Sequence, residues 1–233
     1  MGVKRGAVIA GRRVRAVIFD FDGVLADTEA AHCTALQSVA AAAGMALSRD
    51  MYFRYLLGLP DRACLAAVCE QAGQRADAAR LDALVANKRA EFARLSRATG
   101  LYPGVAAAVR GIHRHCMLAI ASGAFREEIE PVLEREGVRS LFSAVVGADD
   151  VHVGKPAPAP FLAALHELNR TCDAALAAAD CLAVEDAPAG IVAAHAAGMR
   201  CVGVTTHYDR AGLAGAEAII GRVSDLQVED LRP

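Results

Sequence analysis

The spacing of apolar positions changes character several times along the chain. Val14, Ala16, Val17, Ile18 and Phe19 form a short, β-branched-rich apolar run that stops at Asp20-Phe21-Asp22-Gly23. Such a run predicts a buried strand that delivers carboxylates to its C-terminal end. From Asp27 to Ala43 the period becomes helical, with Asp27 as the expected N-cap, Glu29 near the positive end of the helix dipole and Gly44 as the expected stop. Between about Ser48 and Arg97 only helical signals occur: a segment at Met51–Leu56, one after Pro60 through Ala72, and a long one from Arg75 to Arg97. This stretch predicts a helical insert.

Tyr102-Pro103-Gly104 marks a turn, after which helices and strands alternate. Strands are expected at Met117–Ala121, near Ala144–Val146, at Leu182–Val184 and at Cys201–Val204. Helices are expected at 105–113, 126–136, 160–169 and 189–197, the last closed by Gly198. Alternation of this kind predicts an α/β fold, a Rossmann-like parallel sheet with helices on both faces and ligands at the C-terminal ends of its strands. The expected domains are an N-terminal extension at 1–13, an α/β core at 14–27 and 100–233, and the all-α insert at 28–99.

Composition narrows the function. Hydrophobic residues are 55% of the 233 positions and charged residues 22%, which supplies a core and gives no sign of overall disorder. A net charge of −2 leaves no basic excess to neutralise a nucleic-acid backbone or an anionic bilayer, so small-molecule partners are expected, with no nucleic acid and no membrane. Lys4, Arg5, Arg12 and Arg13 flank an apolar stretch too short for a signal sequence or a span. The seven cysteines form no CxxC pair and read as reduced, buried residues of a cytoplasmic protein. A monomer or small homo-oligomer is expected, and Glu229-Asp230 reads as a solvated tail.

The polar clusters at the strand ends carry the candidate chemistry. Two carboxylates two residues apart, Asp20 and Asp22, can face one pocket and divide the work. One attacks phosphorus and the other handles the leaving-group proton. Mg²⁺, a hard ion preferring oxygen ligands, would offset repulsion between an anionic nucleophile and an anionic substrate, and Asp186 with Glu185 would complete the acidic side of its site. Ser122 offers a hydroxyl, Gly123 allows close backbone approach to a phosphate oxygen, and Lys155 supplies a positive point charge. Gly154-Lys155 is no P-loop, because Pro156 follows directly and the GxxxxGK[ST] spacing is absent. His113, His115, His152, His166, His195 and His207 show no metal-ligand spacing and receive no role.

Together, FDFDGVLADTE at Phe19–Glu29, ASG at Ala121–Gly123, GKPAP at Gly154–Pro158 and VEDAPAGI at Val184–Ile191 resemble the four ordered motifs of the haloacid dehalogenase-like superfamily. The look is closest to its β-phosphoglucomutase and phosphatase branch, with 28–99 similar to that branch's helical cap domain. The resemblance implies a Mg²⁺-dependent phosphatase in which Asp20 becomes an aspartyl-phosphate and Asp22 is the general acid/base. It implies metal binding by Asp20, the Asp22 carbonyl, Asp186 and, assisting, Glu185, with Ser122 and Lys155 on the phosphoryl group. His32 matches a position near the acid/base in this branch; Arg62, ahead of Lys88, is a candidate anion contact in the cap. Asp22 favours phosphate esters over carbon–halogen bonds. Where the mutase pattern has Ser-Lys-Asn, this chain has Ala124-Phe125-Arg126, which favours a phosphatase over a sugar phosphomutase. A phosphometabolite-binding protein without turnover is the third reading.

Overall fold

The computed structural model describes residues 14–57, 59–96, 99–172 and 175–226. The expectations for 1–13, for Gly58, for the end of the long helix at Arg97 and for Glu229-Asp230 lie outside them. The chain divides into two compact units, one of the residues through Asp27 with those from Gly100 onward, the other Thr28–Thr99.

The first unit is built on six parallel strands: β1 (Ala16–Phe19), β2 (Met117–Ala121), β3 (Phe142–Val146), β4 (Cys181–Glu185), β5 (Arg200–Val204) and β6 (Ala218–Ile220). Their order is β3-β2-β1-β4-β5-β6. Side chains alternate across a strand, so β1 feeds two cores. Val17 and Phe19 join Leu118, Ile120, Leu182, Val184 and Val202 on one face. Ala16 and Ile18 join Ala119, Ala121, Ala183 and Cys201 on the other. Burial on both faces is why these strands read as unbroken apolar runs.

Helices α5 (Val105–His113) and α6 (Arg126–Arg135) cover the first face through Val105, Val109, Ile112, Ile129, Val132 and Leu133. The other face receives α7 (Ala159–Thr171) and α8 (Pro188–Ala196), through Phe161, Ala164, Leu168 and Ile191. Strand order reverses between β1 and β4, and at such a switch point the crossovers leave in opposite directions and open a crevice at the strand C-termini. Edge strand β6 was not anticipated, since three residues after the glycine- and alanine-rich 211–216 are too few to show a period.

The second unit is helical: α1 (Glu29–Ala42), α2 (Arg49–Met51) continuing as a π-helical turn at Tyr52–Leu56, α3 (Asp61–Gln71) and α4 (Ala78–Leu95). Cys33, Leu36, Val39, Leu65, Val68 and Leu84 form its core. Ser48 and Asp77 cap their helices, accepting the amides of Met51 at 3.1 Å and Arg80 at 2.8 Å. The expected cap at Asp27 is corrected: Thr28 is the N-cap, its side chain making no capping bond to the helix, and the Asp27 amide donates to the Gly100 carbonyl at 3.3 Å. Asp27 still belongs to the connection into the sheet, so the helix begins later. Among the described residues no helix is long and apolar enough to cross a membrane. All seven cysteines are free; six are buried, whereas Cys172 at the end of α7 is exposed, which corrects the reading of all as buried.

Candidate active site

The switch point places the acidic residues. The Asp20 amide donates to the Val184 carbonyl at 2.9 Å, so Asp20 leaves β1 beside the end of β4, where Glu185 and Asp186 stand. One carboxylate oxygen from each of Asp20, Glu185 and Asp186 lies within 4.8 Å of the others. Lys155, in the loop before α7, brings Nζ to 3.0 Å from Asp20 Oδ1 and 2.5 Å from Glu185 Oε1. Asp22 sits in the turn after β1, which closes through amides of Leu25 and Ala26 on the Phe21 carbonyl at 2.9 and 3.0 Å.

Ser122 follows β2 on the same C-terminal rim, its amide bonded to the Val146 carbonyl at 3.0 Å and its Oγ accepting the Ala124 amide at 3.2 Å. It is buried. A Cβ at Gly123 would meet nothing within 4 Å, so this stretch of backbone faces open space. The structure thus brings Asp20, Lys155, Glu185 and Asp186 into one cluster, with Asp22, Ser122 and Gly123 on the rim.

The cluster is electrostatically unfinished. Burial pushes Glu185 above the ordinary carboxylate range; the Lys155 charge opposes this, while Asp20 and Asp186 add to it. Burial alone would depress the Lys155 ammonium, but the charges of Asp20 and Glu185 outweigh it and hold the group above its usual value. Asp186 is raised by burial, with a hydrogen bond from His207 opposing the rise. Lys155 Nζ, 3.0 Å from Asp20 Oδ1 and 2.5 Å from Glu185 Oε1, sets one positive charge against the three carboxylates of Asp20, Glu185 and Asp186. Converging oxygen donors in negative excess fit a hard divalent cation such as Mg²⁺.

Two glycines make room for this arrangement. Glu185 Oε2 accepts the amides of Asp186 and Ala187 at 3.0 and 3.3 Å, and a Cβ at Gly190 would lie 1.9 Å from the same carboxylate. At Gly23, with φ +74°, a Cβ would lie 2.1 Å from Asp186 Oδ2 and 2.7 Å from His207 Nδ1. The contact of His207 with Asp186 had no signal in the sequence, since the two are 21 residues apart on different loops.

His32 and Arg62 lie in the helical unit. His32 Nδ1 is 2.6 Å from Lys88 Nζ, and its ring stacks on Phe92 with centroids 3.9 Å apart. Lys88 is buried and 2.8 Å from Asp61 Oδ1. Arg62 pairs with Asp82 and reaches the Ala78 carbonyl at 3.5 Å, bridging α3 to the start of α4. In the first unit, Arg126 Nε donates to Asp150 Oδ2 at 2.7 Å, and Ala124 is buried.

Known proteins share this architecture. β-Phosphoglucomutase of Bacillus subtilis is 31% identical over 222 residues, 93% of each chain. A phosphorylated carbohydrates phosphatase of Thermotoga maritima is 29% identical over 220 residues, 94% of this chain and 96% of that one. The crystal structure of CbbY from Rhodobacter sphaeroides in complex with phosphate superposes with a TM-score of 0.80 at 25% identity, over 94% of this chain and 99% of that one. The pattern of the haloacid dehalogenase-like hydrolases matches residues 17–204, and the chain belongs to that family, in its β-phosphoglucomutase-like branch.

Proposed function

We propose that this chain is a Mg²⁺-dependent phosphatase of small phosphate monoesters of the phosphosugar kind, acting through an aspartyl-phosphate on Asp20. The observation that carries the reading is the buried Asp20 Oδ1, 3.0 Å from Lys155 Nζ, in a cluster with Glu185 and Asp186. An oxygen so placed is desolvated and held for attack.

In this mechanism an Asp20 carboxylate oxygen bonds to phosphorus as the ester bond to the leaving oxygen breaks. Asp22 gives that oxygen its proton. Asp22 then accepts a proton from the water that attacks the aspartyl-phosphate, which restores Asp20 and releases inorganic phosphate. Lys155, the Ser122 hydroxyl and the open backbone at Gly123 bind the phosphoryl oxygens whose charge is redistributed in the transition state. Asp20, the Asp22 carbonyl and Asp186 would hold Mg²⁺, which supplies charge neutralisation between nucleophile and substrate. Glu185, with one oxygen on two backbone amides and the other beside Lys155, assists by fixing that lysine.

The core at 14–27 and 100–233 carries this chemistry, and 28–99 serves as the substrate-selecting cap. His32 and Arg62 are its candidates for substrate contact; the pairing of Arg62 with Asp82 makes it the weaker of the two. A small-molecule partner, a cytoplasmic setting and a monomer or small homo-oligomer belong to the same reading. Hydrolysis is favoured over mutase chemistry because Ala124-Phe125-Arg126 offers no uncommitted cation for a second phosphate: Arg126 is engaged by Asp150. The phosphatase among the relatives, named for phosphorylated carbohydrates, supports the substrate class.

The test is a panel assay with Mg²⁺ that follows phosphate release and isomer formation from phosphosugars, phosphoglycolate and an aryl phosphate, with Asp20→Asn as control. Phosphate release absent from the control is expected. Isomer formation without release would make the chain a mutase, and silence on every ester would make it a binding protein.

A further inference from the structure

His207 has no part in the mechanism above, yet it is held against the acidic cluster at one defined atom. It follows β5 after Thr205 and Thr206, whose amides donate to the Ile220 carbonyl at 3.0 Å and the Val204 carbonyl at 2.9 Å. The segment is therefore anchored to the edge of the sheet. His207 Nδ1 lies 2.6 Å from Asp186 Oδ2, with side chains 15% and 7% exposed. A carboxylate offers only lone pairs, so Nδ1 carries the proton and donates it.

Gly23 closes the other side of this pair. A Cβ there would lie 2.1 Å from Asp186 Oδ2 and 2.7 Å from His207 Nδ1, so the pair occupies the space a side chain would need. Three segments distant in sequence, the turn after β1, the end of β4 and the loop after β5, meet at one hydrogen bond. Asp186 Oδ2 would otherwise be an acceptor withdrawn from water without a partner.

We propose that His207 is a positioning residue for metal binding: its Nδ1–H holds Asp186 Oδ2, fixes the plane of the carboxylate and leaves Oδ1 as the oxygen that Asp186 contributes beside Asp20. The inference rests on the Mg²⁺-dependent reading above. A carboxylate already held in one orientation loses less freedom on binding a cation than one that rotates. Nothing in the spacing of the motifs requires a histidine here, so the role belongs to the folded chain.

The test is direct binding of Mn²⁺, in place of Mg²⁺, to the substrate-free protein, followed by the electron paramagnetic resonance signal of the unbound ion. His207→Ala should weaken Mn²⁺ binding roughly 10–100-fold, the range typical of losing a group that orients a ligand. His207→Asn should stay within about threefold of wild type, because its amide nitrogen takes the place of Nδ1. Thermal melts establish that each variant is folded. Should His207→Ala fail to fold, His207→Gln supplies the loss, since its amide nitrogen reaches the position of Nε2 instead. A folded His207→Ala (or Gln) protein that binds Mn²⁺ as wild type does overturns the inference while the phosphatase reading stands. His207→Asn as weak as the loss variant overturns the Nδ1 donor. Wild type that binds no Mn²⁺ overturns the metal-dependent reading itself, and the inference with it.

Discussion

The described residues include two lysines, one in each unit, and the protein treats them in opposite ways. Lys88 of the helical unit is 1% exposed, 2.8 Å from a single carboxylate, Asp61, and 2.6 Å from His32, with the Phe92 ring centroid 4.8 Å away. One cation and one anion balance there, beside the His32 ring and an aromatic face. Lys155 of the sheet unit sits between Asp20 and Glu185, with Asp186 in the same cluster, so that one cation faces three carboxylates. A cluster of one cation and one anion is complete in charge without a ligand. A cluster with excess negative charge costs stability unless a ligand completes it, and this marks it as a ligand site.

The contrast can be tested by substitution. Asp20→Asn should have the largest effect, lowering phosphate release on the order of 10⁴-fold or more, as expected for removal of a covalent nucleophile. Circular dichroism should remain that of wild type. Lys155→Met should lower kcat/KM by about 10²–10³-fold, the range for losing one preorganised group that stabilises transition-state charge. A normal rate in this variant would place the phosphate clamp elsewhere.

Lys88→Met tests the other side of the comparison. Breaking a buried pair at one end costs about 3–5 kcal/mol, and the partial exposure of Asp61, 27%, places this case near the lower end. Denaturant unfolding should show the loss, and pairing the change with Asp61→Leu should recover much of it, because replacing both partners removes the orphaned charge. No recovery would mean that Asp61 has a role beyond balancing Lys88. The smallest effect is expected for Gly190→Ala. A methyl group 1.9 Å from the Glu185 carboxylate must displace a group held by Lys155 and two amides, at about 1–3 kcal/mol by thermal unfolding.

Much of this was legible in the chain because strands buried on both faces need continuous apolar runs, and each run ends at its polar residues. Phe19-Asp20, Ala121-Ser122 and Val184-Glu185 each mark a strand end, and adjacent parallel strands bring such ends together. What was less legible is also particular. β6 is three residues long and paired at the sheet edge, so its existence depends on β5 beside it. Asp27 has the chemistry of an N-cap, but its amide is committed to Gly100, 73 positions later. Asp61 and Lys88 each look like ordinary surface charges until α3 and α4 are placed side by side.

The alternation of strands and helices, the helical insert and the order of the four polar motifs follow from the chain alone, because each depends on periodicity or on residues a few positions apart. Folding sets which charges are completed and which are left open. Asp186 meets His207, Glu185 meets Gly190 and Lys155, and Lys88 meets Asp61 through space. Burial and partner geometry set the energy of a charged group, and both come from segments that the local chain does not contain.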